Sequence, residues 1–271
     1  MPGLATQVGQ YSVVIAIGGI PVRINTADSD FLEMLQNRYA GFVGAEERAE
    51  YDFDVDLAPP ALANPDADVS VTRRSGRWFM ERGDFRAEWE PAERRGWIHQ
   101  SANPYSIDAV LRIVHTLVLA RQGGFLLHSA SAIRNGKAFL FAGVSGAGKT
   151  TISRLAPADA TLLTDEISYV RRQDEGYVAF GTPFTGELAK LGENTSAPVA
   201  TLYLLAQGPE NRIDPVAAAD AGRELLSNML FFAEDQELVQ WAFQAACDFV
   251  HRVPVYRLTF VPDARVWEMI G

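Results

Sequence analysis

Apolar positions recur along this chain with two different periods, and the change falls near residue 104. From Tyr51 to Leu57 the alternation is strict: Tyr51, Phe53, Val55 and Leu57 share one face, and Asp52, Asp54 and Asp56 share the other. That period of two marks a half-buried strand, and its aspartates read as a wetted face rather than a cation site. Ahead of it, β-branched residues on both sides of Gly18-Gly19 predict two strands and a turn within Tyr11 to Thr26. Phe31, Leu32, Leu35 and Tyr39 predict a short helix. Val69 to Gln100 predicts a meander with turns near Ser75-Gly76, Gly83-Asp84 and Arg94-Gly96, and Pro59 to Pro65 a loop. Trp78, Trp89 and Trp97 are the expected core of this region.

After Asn103-Pro104 the spacing becomes helical, through Ile107, Val110, Leu111, Val114, Leu117 and Val118, with Gly123-Gly124 as the stop. Phe125 to Ile133 then predicts a strand, Asn135-Gly136 a tight hairpin, and Lys137 to Ala142 a buried returning strand. Further strands are expected at 161–163, 167–170, 177–180, 199–205 and 255–260, and helices at 217–232, 234–249 and from Ala264. The expected organisation is a small β-rich domain over residues 1–103 and an α/β domain over 104–271.

Composition narrows the function. Of 271 residues 48% are hydrophobic and 21% charged, so the chain should fold rather than stay disordered. A net charge of −10 argues against general nucleic-acid binding, which needs basic surface, yet leaves room for a phosphate held by a few local groups. Cys247 is the lone cysteine, expected to pack in an amphipathic helix, so neither an internal disulfide nor a cysteine metal cluster is expected. The start, Met1 to Ala5, shows no secretory signal, and no stretch is apolar enough to span a bilayer. The expectation is a cytoplasmic protein with no membrane partner. His99, His115 and His251 lack metal-like spacing and read as structural.

One segment carries explicit chemistry. Gly143-Val144-Ser145-Gly146-Ala147-Gly148-Lys149-Thr150, followed by Thr151, matches G-x-x-x-x-G-K-[ST] throughout, after a buried strand and before a helix. Glycines let successive N–H groups turn inward around a phosphate, and the helix start adds its positive end. Lys149 is expected at the β- and γ-phosphates and the Thr150 hydroxyl on Mg²⁺. Leu162-Leu163-Thr164-Asp165-Glu166 then ends an apolar strand in two carboxylates, expected at the same sheet edge as the loop. One could hold Mg²⁺ and the other accept a hydroxyl proton. Arg134, Arg171, Arg172 and Arg212 are possible further phosphate partners.

Together, His128 opening a strand, the hairpin, Gly143 to Thr150 and Leu163-Thr164-Asp165-Glu166 resemble the catalytic domain of HPr kinase/phosphorylase and its smaller serine-kinase relatives. More distantly they are similar to ATP-dependent phosphoenolpyruvate carboxykinase. The usual Asp-Asp of the family is Asp165-Glu166 here, and residues 1–103 do not resemble its regulatory domain. The resemblance implies an α/β, mixed-sheet P-loop kinase core of the HPr kinase type, using ATP and Mg²⁺, with a small β-rich domain in front that could bind the acceptor or another partner. By residue, it implies Asp165 as general base, Glu166 assisting with metal, His128 beside the transferring phosphate, and Thr185 and Glu187 on the acceptor side. The order of the Asp165 and Glu166 roles stays open. The implied acceptor is a serine on a peptide or small protein, such as a biosynthetic precursor peptide, and a homo-oligomer is possible. A non-catalytic nucleotide-binding module and a kinase of small-molecule hydroxyls are the alternatives.

Overall fold

The computed structural model describes residues 10–44, 49–59, 67–174, 176–188 and 191–271. Met1 to Ala5, and all but Pro59 of the expected loop over Pro59 to Pro65, lie outside the described residues. The chain divides into two compact units, residues 1–113 with 232–235, and residues 114–231 with 236–271. The division therefore runs through a helix, whereas the period change read from the sequence coincides with that helix's start.

The first unit is a seven-stranded mixed sheet in the order β1-β2-β3-β7-β6-β5-β4. β1 (Tyr11–Ile17) and β2 (Ile20–Thr26) form the expected hairpin, and β3 (Tyr51–Ala58) lies parallel to β2. β4 (Ser70–Arg74), β5 (Arg77–Arg82), β6 (Phe85–Glu90) and β7 (Arg95–Ser101) form the meander. α1 (Ser29–Arg38) starts where the Asp28 carboxylate accepts the Phe31 amide at 2.8 Å. Phe31, Leu35, Ile15, Ile24, Phe53 and Trp78 are fully buried in this unit. On the wet face Asp52, Asp54 and Asp56 each meet a cross-strand side chain, Arg23, Arg95 and the His99 ring respectively. Trp78 and Trp89 are core as expected, but Trp97 is not: register places it opposite Glu88 and Asp54 on the wet face, stacked on His99. The last turn of the meander ends at Arg94, and Gly96 lies inside β7.

The second unit, into which α2 (Pro104–Arg121) runs, is built on an eight-stranded mixed sheet. β8 (Phe125–Arg134) turns into β9 (Lys137–Ala142) at Asn135-Gly136, whose φ angles are 51° and 71°. Two successive left-handed residues make the turn whose twist suits a hairpin. β8 also pairs with β10 (Thr161–Thr164) and, nearer its start, with β11 (Ile167–Gln173). β11 continues to β12 (Gly176–Phe180), β12 to the start of β13 (Ser196–Gln207), and β13 lies parallel to β9. The pairings thus return to β9, and β15 (Val255–Phe260) and β14 (Arg212–Pro215) extend the sheet beyond β13.

β9 is apolar from Ala138 to Ala142 because both faces of that stretch are covered. Ala138, Leu140 and Ala142 pack in one cluster, with Leu225 of α4 (Ala218–Asn228) and Phe249 of α5 (Gln236–Arg252). Phe139 and Phe141 pack in another, with Ile152 of α3 (Lys149–Arg154), Phe260 and Trp267. Two expectations need correction, and one strand was not expected. α4 ends at Asn228, short of 232, because Met229 bridges Leu127 and the Leu230 amide donates to the Leu126 carbonyl. Cys247 lies on the exposed face of α5. β14 escaped notice because it has a single apolar residue besides its proline. Among the described residues, no helix is long and apolar enough to cross a membrane.

Candidate active site

The buried β9 delivers the chain into residues 143–148, and α3 begins immediately after them. Gly148 caps α3 in a left-handed conformation, φ 112°, and a Cβ there would sit 2.6 Å from Cζ of Phe260. Both the angle and the aromatic floor require glycine. Within the loop the Ala147 amide donates to the Val144 carbonyl at 3.0 Å, and Gln207 Nε2 donates to the Gly146 carbonyl at 2.7 Å. Among the described residues, no backbone acceptor outside α3 takes the amides of Ser145, Gly146, Gly148, Lys149 or Thr150. Five donors with no backbone partner among the described residues suit an anion with several oxygens.

Lys149 is buried, and its ammonium donates to the carbonyls of Gly143 at 2.8 Å and Val144 at 3.3 Å. Burial lowers its pKa from the ordinary lysine value, against the opposing pull of the Glu166 and Glu187 carboxylates. Both carboxylates therefore act on the same ammonium. Thr150 and Thr151 are half-buried in the first turn of α3, and Val144 and Ser145 are exposed on the loop.

Across the sheet edge, β10 is antiparallel to β8 and β8 to β9, so β10 and β9 point the same way. The acidic pair at the end of β10 consequently reaches the loop's edge with one strand between them. Two local features shape it: a bulge between Leu162 and Thr164, and the Thr164 hydroxyl, which accepts the amides of Glu166 and Ile167 at 3.1 Å each. The two carboxylates part company here. Asp165 is 2% exposed, and its two oxygens accept the amides of Gly186 and Leu188 at 2.9 Å each. Glu166 remains partly exposed and lies 3.8 Å from Nε2 of His128. His128 reaches that position because it pairs with Ile167 across β8 and β11.

The segment from Gly181 to Leu188 forms a strap over this end. Thr182 ties it down, its amide donating to the Leu163 carbonyl at 3.1 Å and its hydroxyl to the Ile167 carbonyl at 2.9 Å. The Thr164 hydroxyl donates to the Phe184 carbonyl at 3.4 Å. A Cβ on Gly186 would lie 2.7 Å from Oε2 of Glu166 and 3.0 Å from Oδ2 of Asp165. Only glycine lets this backbone press so close to two carboxylates.

His128, Lys149, Glu166 and Glu187 are thus brought together at one edge, with Asp165 beneath them and Thr185 on the strap. The four candidate arginines are engaged elsewhere. Arg134 donates to the carbonyls of Trp267 and Ile270, Arg172 meets Asp248, Arg212 meets Asp214, and Arg171 lies over Phe180. Sequence reasoning missed Gly186, Gln207 and Phe260, whose parts depend on contacts between segments distant in the chain. For Gly186, between Thr185 and Glu187, its small size was the only available signal.

Fold and site together define a mixed-sheet α/β protein with a glycine-rich loop between strand and helix. More particularly, the chain belongs to the ScmC family, described as SynChlorMet cassette protein ScmC, whose family model matches residues 99–271. None of the curated proteins matches the chain. A solved structure, the Hpr(Ser) kinase/phosphatase from Coxiella burnetii, is similar at 9% identity and a TM-score of 0.26, over 50% of this chain and 84% of that one. Likeness at that level assigns no role to any residue.

Proposed function

We propose that the second unit is a Mg²⁺- and ATP-dependent phosphotransferase that moves the γ-phosphate to a serine hydroxyl of a peptide or small protein. What supports the reading is the G-x-x-x-x-G-K-[ST] match over Gly143 to Thr150, with five loop and first-turn amides that have no backbone partner among the described residues and a buried lysine within the field of the Glu166 carboxylate. The residues present suit Mg²⁺. Mg²⁺ characteristically takes one or two oxygen-bearing protein groups, keeping water and phosphate oxygens for the rest, and a hydroxyl and a carboxylate are such groups. Thr150 and Glu166 would hold it, and it would supply charge neutralisation at the phosphates.

The loop amides bind and orient the phosphates, and Lys149 exchanges its two loop carbonyls for phosphate oxygens. As the serine oxygen bonds to the γ-phosphorus, the bond from that phosphorus to the β-bridging oxygen breaks and ADP leaves. The hydroxyl proton passes to His128, whose Nε2 lies 3.8 Å from the Glu166 carboxylate. Asp165, the base implied by the resemblance, acts in this reading as the anchor of the strap, since each of its oxygens already accepts an amide. The ScmC description as a cassette protein supports testing a serine peptide encoded in the same cassette first.

Incubation with γ-labelled ATP, Mg²⁺ and that peptide tests the proposal, with mass spectrometry of the product. Lys149→Ala should lower transfer roughly a thousandfold, the size expected when a transition-state donor is lost. Tight ATP retention without transfer to any peptide or small hydroxyl acceptor would replace the kinase with a nucleotide-binding module.

A further inference from the structure

Glu187 occupies a peculiar place. The amides on either side of it, those of Gly186 and Leu188, both donate to Asp165, so the backbone at Glu187 is clamped from two sides. Its neighbour Gly186 is packed against the Glu166 carboxylate, which puts Glu187 one residue from the mouth of the site. The Glu187 side chain is nevertheless exposed. Other charges here are already engaged: Asp165 by two amides, Glu166 by His128 at 3.8 Å, and Lys149 by two loop carbonyls.

We propose that Glu187 selects the acceptor by charge, favouring a peptide that carries an arginine or lysine close to the serine to be phosphorylated. The inference rests on the kinase reading above and adds the class of acceptor. A triphosphate beside Glu166 and Glu187 leaves the mouth strongly negative even with one Mg²⁺ bound. A cationic side chain is the group that such a field attracts. The clamp matters because it fixes the backbone from which the Glu187 side chain projects, so pairing orders that side chain alone and not a loose loop as well. Asp165 thereby acts through Glu187, holding it in position without touching the acceptor.

The experiment compares two synthetic alanine-rich peptides with a single serine, one bearing arginine two residues before it and the other glutamine. Steady-state transfer is measured for the full chain, for Glu187→Gln and for Glu187→Arg, at low and high salt. The full chain should prefer the arginine peptide about fivefold in kcat/KM, mainly through KM, the size of one exposed ion pair. The preference should vanish in Glu187→Gln, turn against arginine in Glu187→Arg, and shrink as salt rises. Equal use of both peptides by the full chain overturns charge selection and leaves the kinase reading standing. A preference that survives Glu187→Gln unchanged overturns it as well, as does a Glu187→Gln effect confined to the Mg²⁺ requirement. Failure to phosphorylate any peptide or protein serine overturns both proposals together.

Discussion

Lowering the pH from 7 to 5 should weaken the second unit by about 2 kcal/mol through one side chain, His115. His115 lies on α2, fully buried, with Nδ1 3.1 Å from the Tyr169 hydroxyl and, among the described residues, no partner for Nε2. Burial first, then the nearby Arg171 charge, lowers its pKa from 6.5 to about 3. The fold therefore holds a neutral imidazole that the unfolded chain protonates at ordinary acidity. Between the two values the unfolded state binds the extra proton, so its contribution is complete above about pH 6.5 and is lost as pH falls toward 3. The slope is about 1.4 kcal/mol per pH unit, which gives the figure above by pH 5.

Urea unfolding at the two pH values, followed by tryptophan fluorescence, measures this directly. With a urea slope of about 2 kcal/mol per molar, the midpoint should fall by about 1 M. His115→Gln keeps a polar group toward Tyr169 but cannot titrate, so its midpoint should move far less over the same range. If the full chain and His115→Gln shift equally, the proton is taken up elsewhere and the burial argument fails.

Two further substitutions probe the active-site scaffold. Gly148→Ala combines a φ of 112° with a Cβ 2.6 Å from the Phe260 ring; it should cost about 2 kcal/mol or more and abolish retention of labelled ATP, both read by thermal melts with and without nucleotide. Asp165→Asn turns an amide group toward one of the two N–H donors that the carboxylate accepts; it should destabilise the strap by about 1–3 kcal/mol, visible as faster hydrogen exchange at Gly186 and Leu188, and lower kcat more than ATP affinity.

What the sequence made legible was whatever depends on period or on spacing. Tyr51 to Leu57 could be read because burial on one face enforces alternation, and the observed strand buries Phe53 and Val55 while its aspartates face arginine and histidine. The Asn135-Gly136 hairpin could be read because two adjacent left-handed residues leave few other choices. Trp97 misled for the opposite reason. Its hydrophobicity points to a core, but register across β6 and β7 decides its face, and register is set by the whole sheet. The strap over the site was equally hidden, since its shape follows from bonds between residues near 164 and residues near 184.

The acidic pair shows why a motif cannot by itself distribute roles. Asp165 and Glu166 are adjacent, and an extended chain turns neighbouring side chains to opposite sides. The bulge before Thr164 and the hydroxyl that gathers the next two amides bend the chain, so one carboxylate turns inward and the other stays at the mouth. The inward one met backbone amides, which satisfy its charge without any cation. The outward one kept a histidine and a lysine within its field. A short aspartate suits the inner position because it reaches the amides of Gly186 and Leu188 directly, while the longer glutamate spans outward toward His128. Reach thus separates the two carboxylates: the shorter one is spent on the amides of Gly186 and Leu188, and the longer one stays at the mouth beside His128.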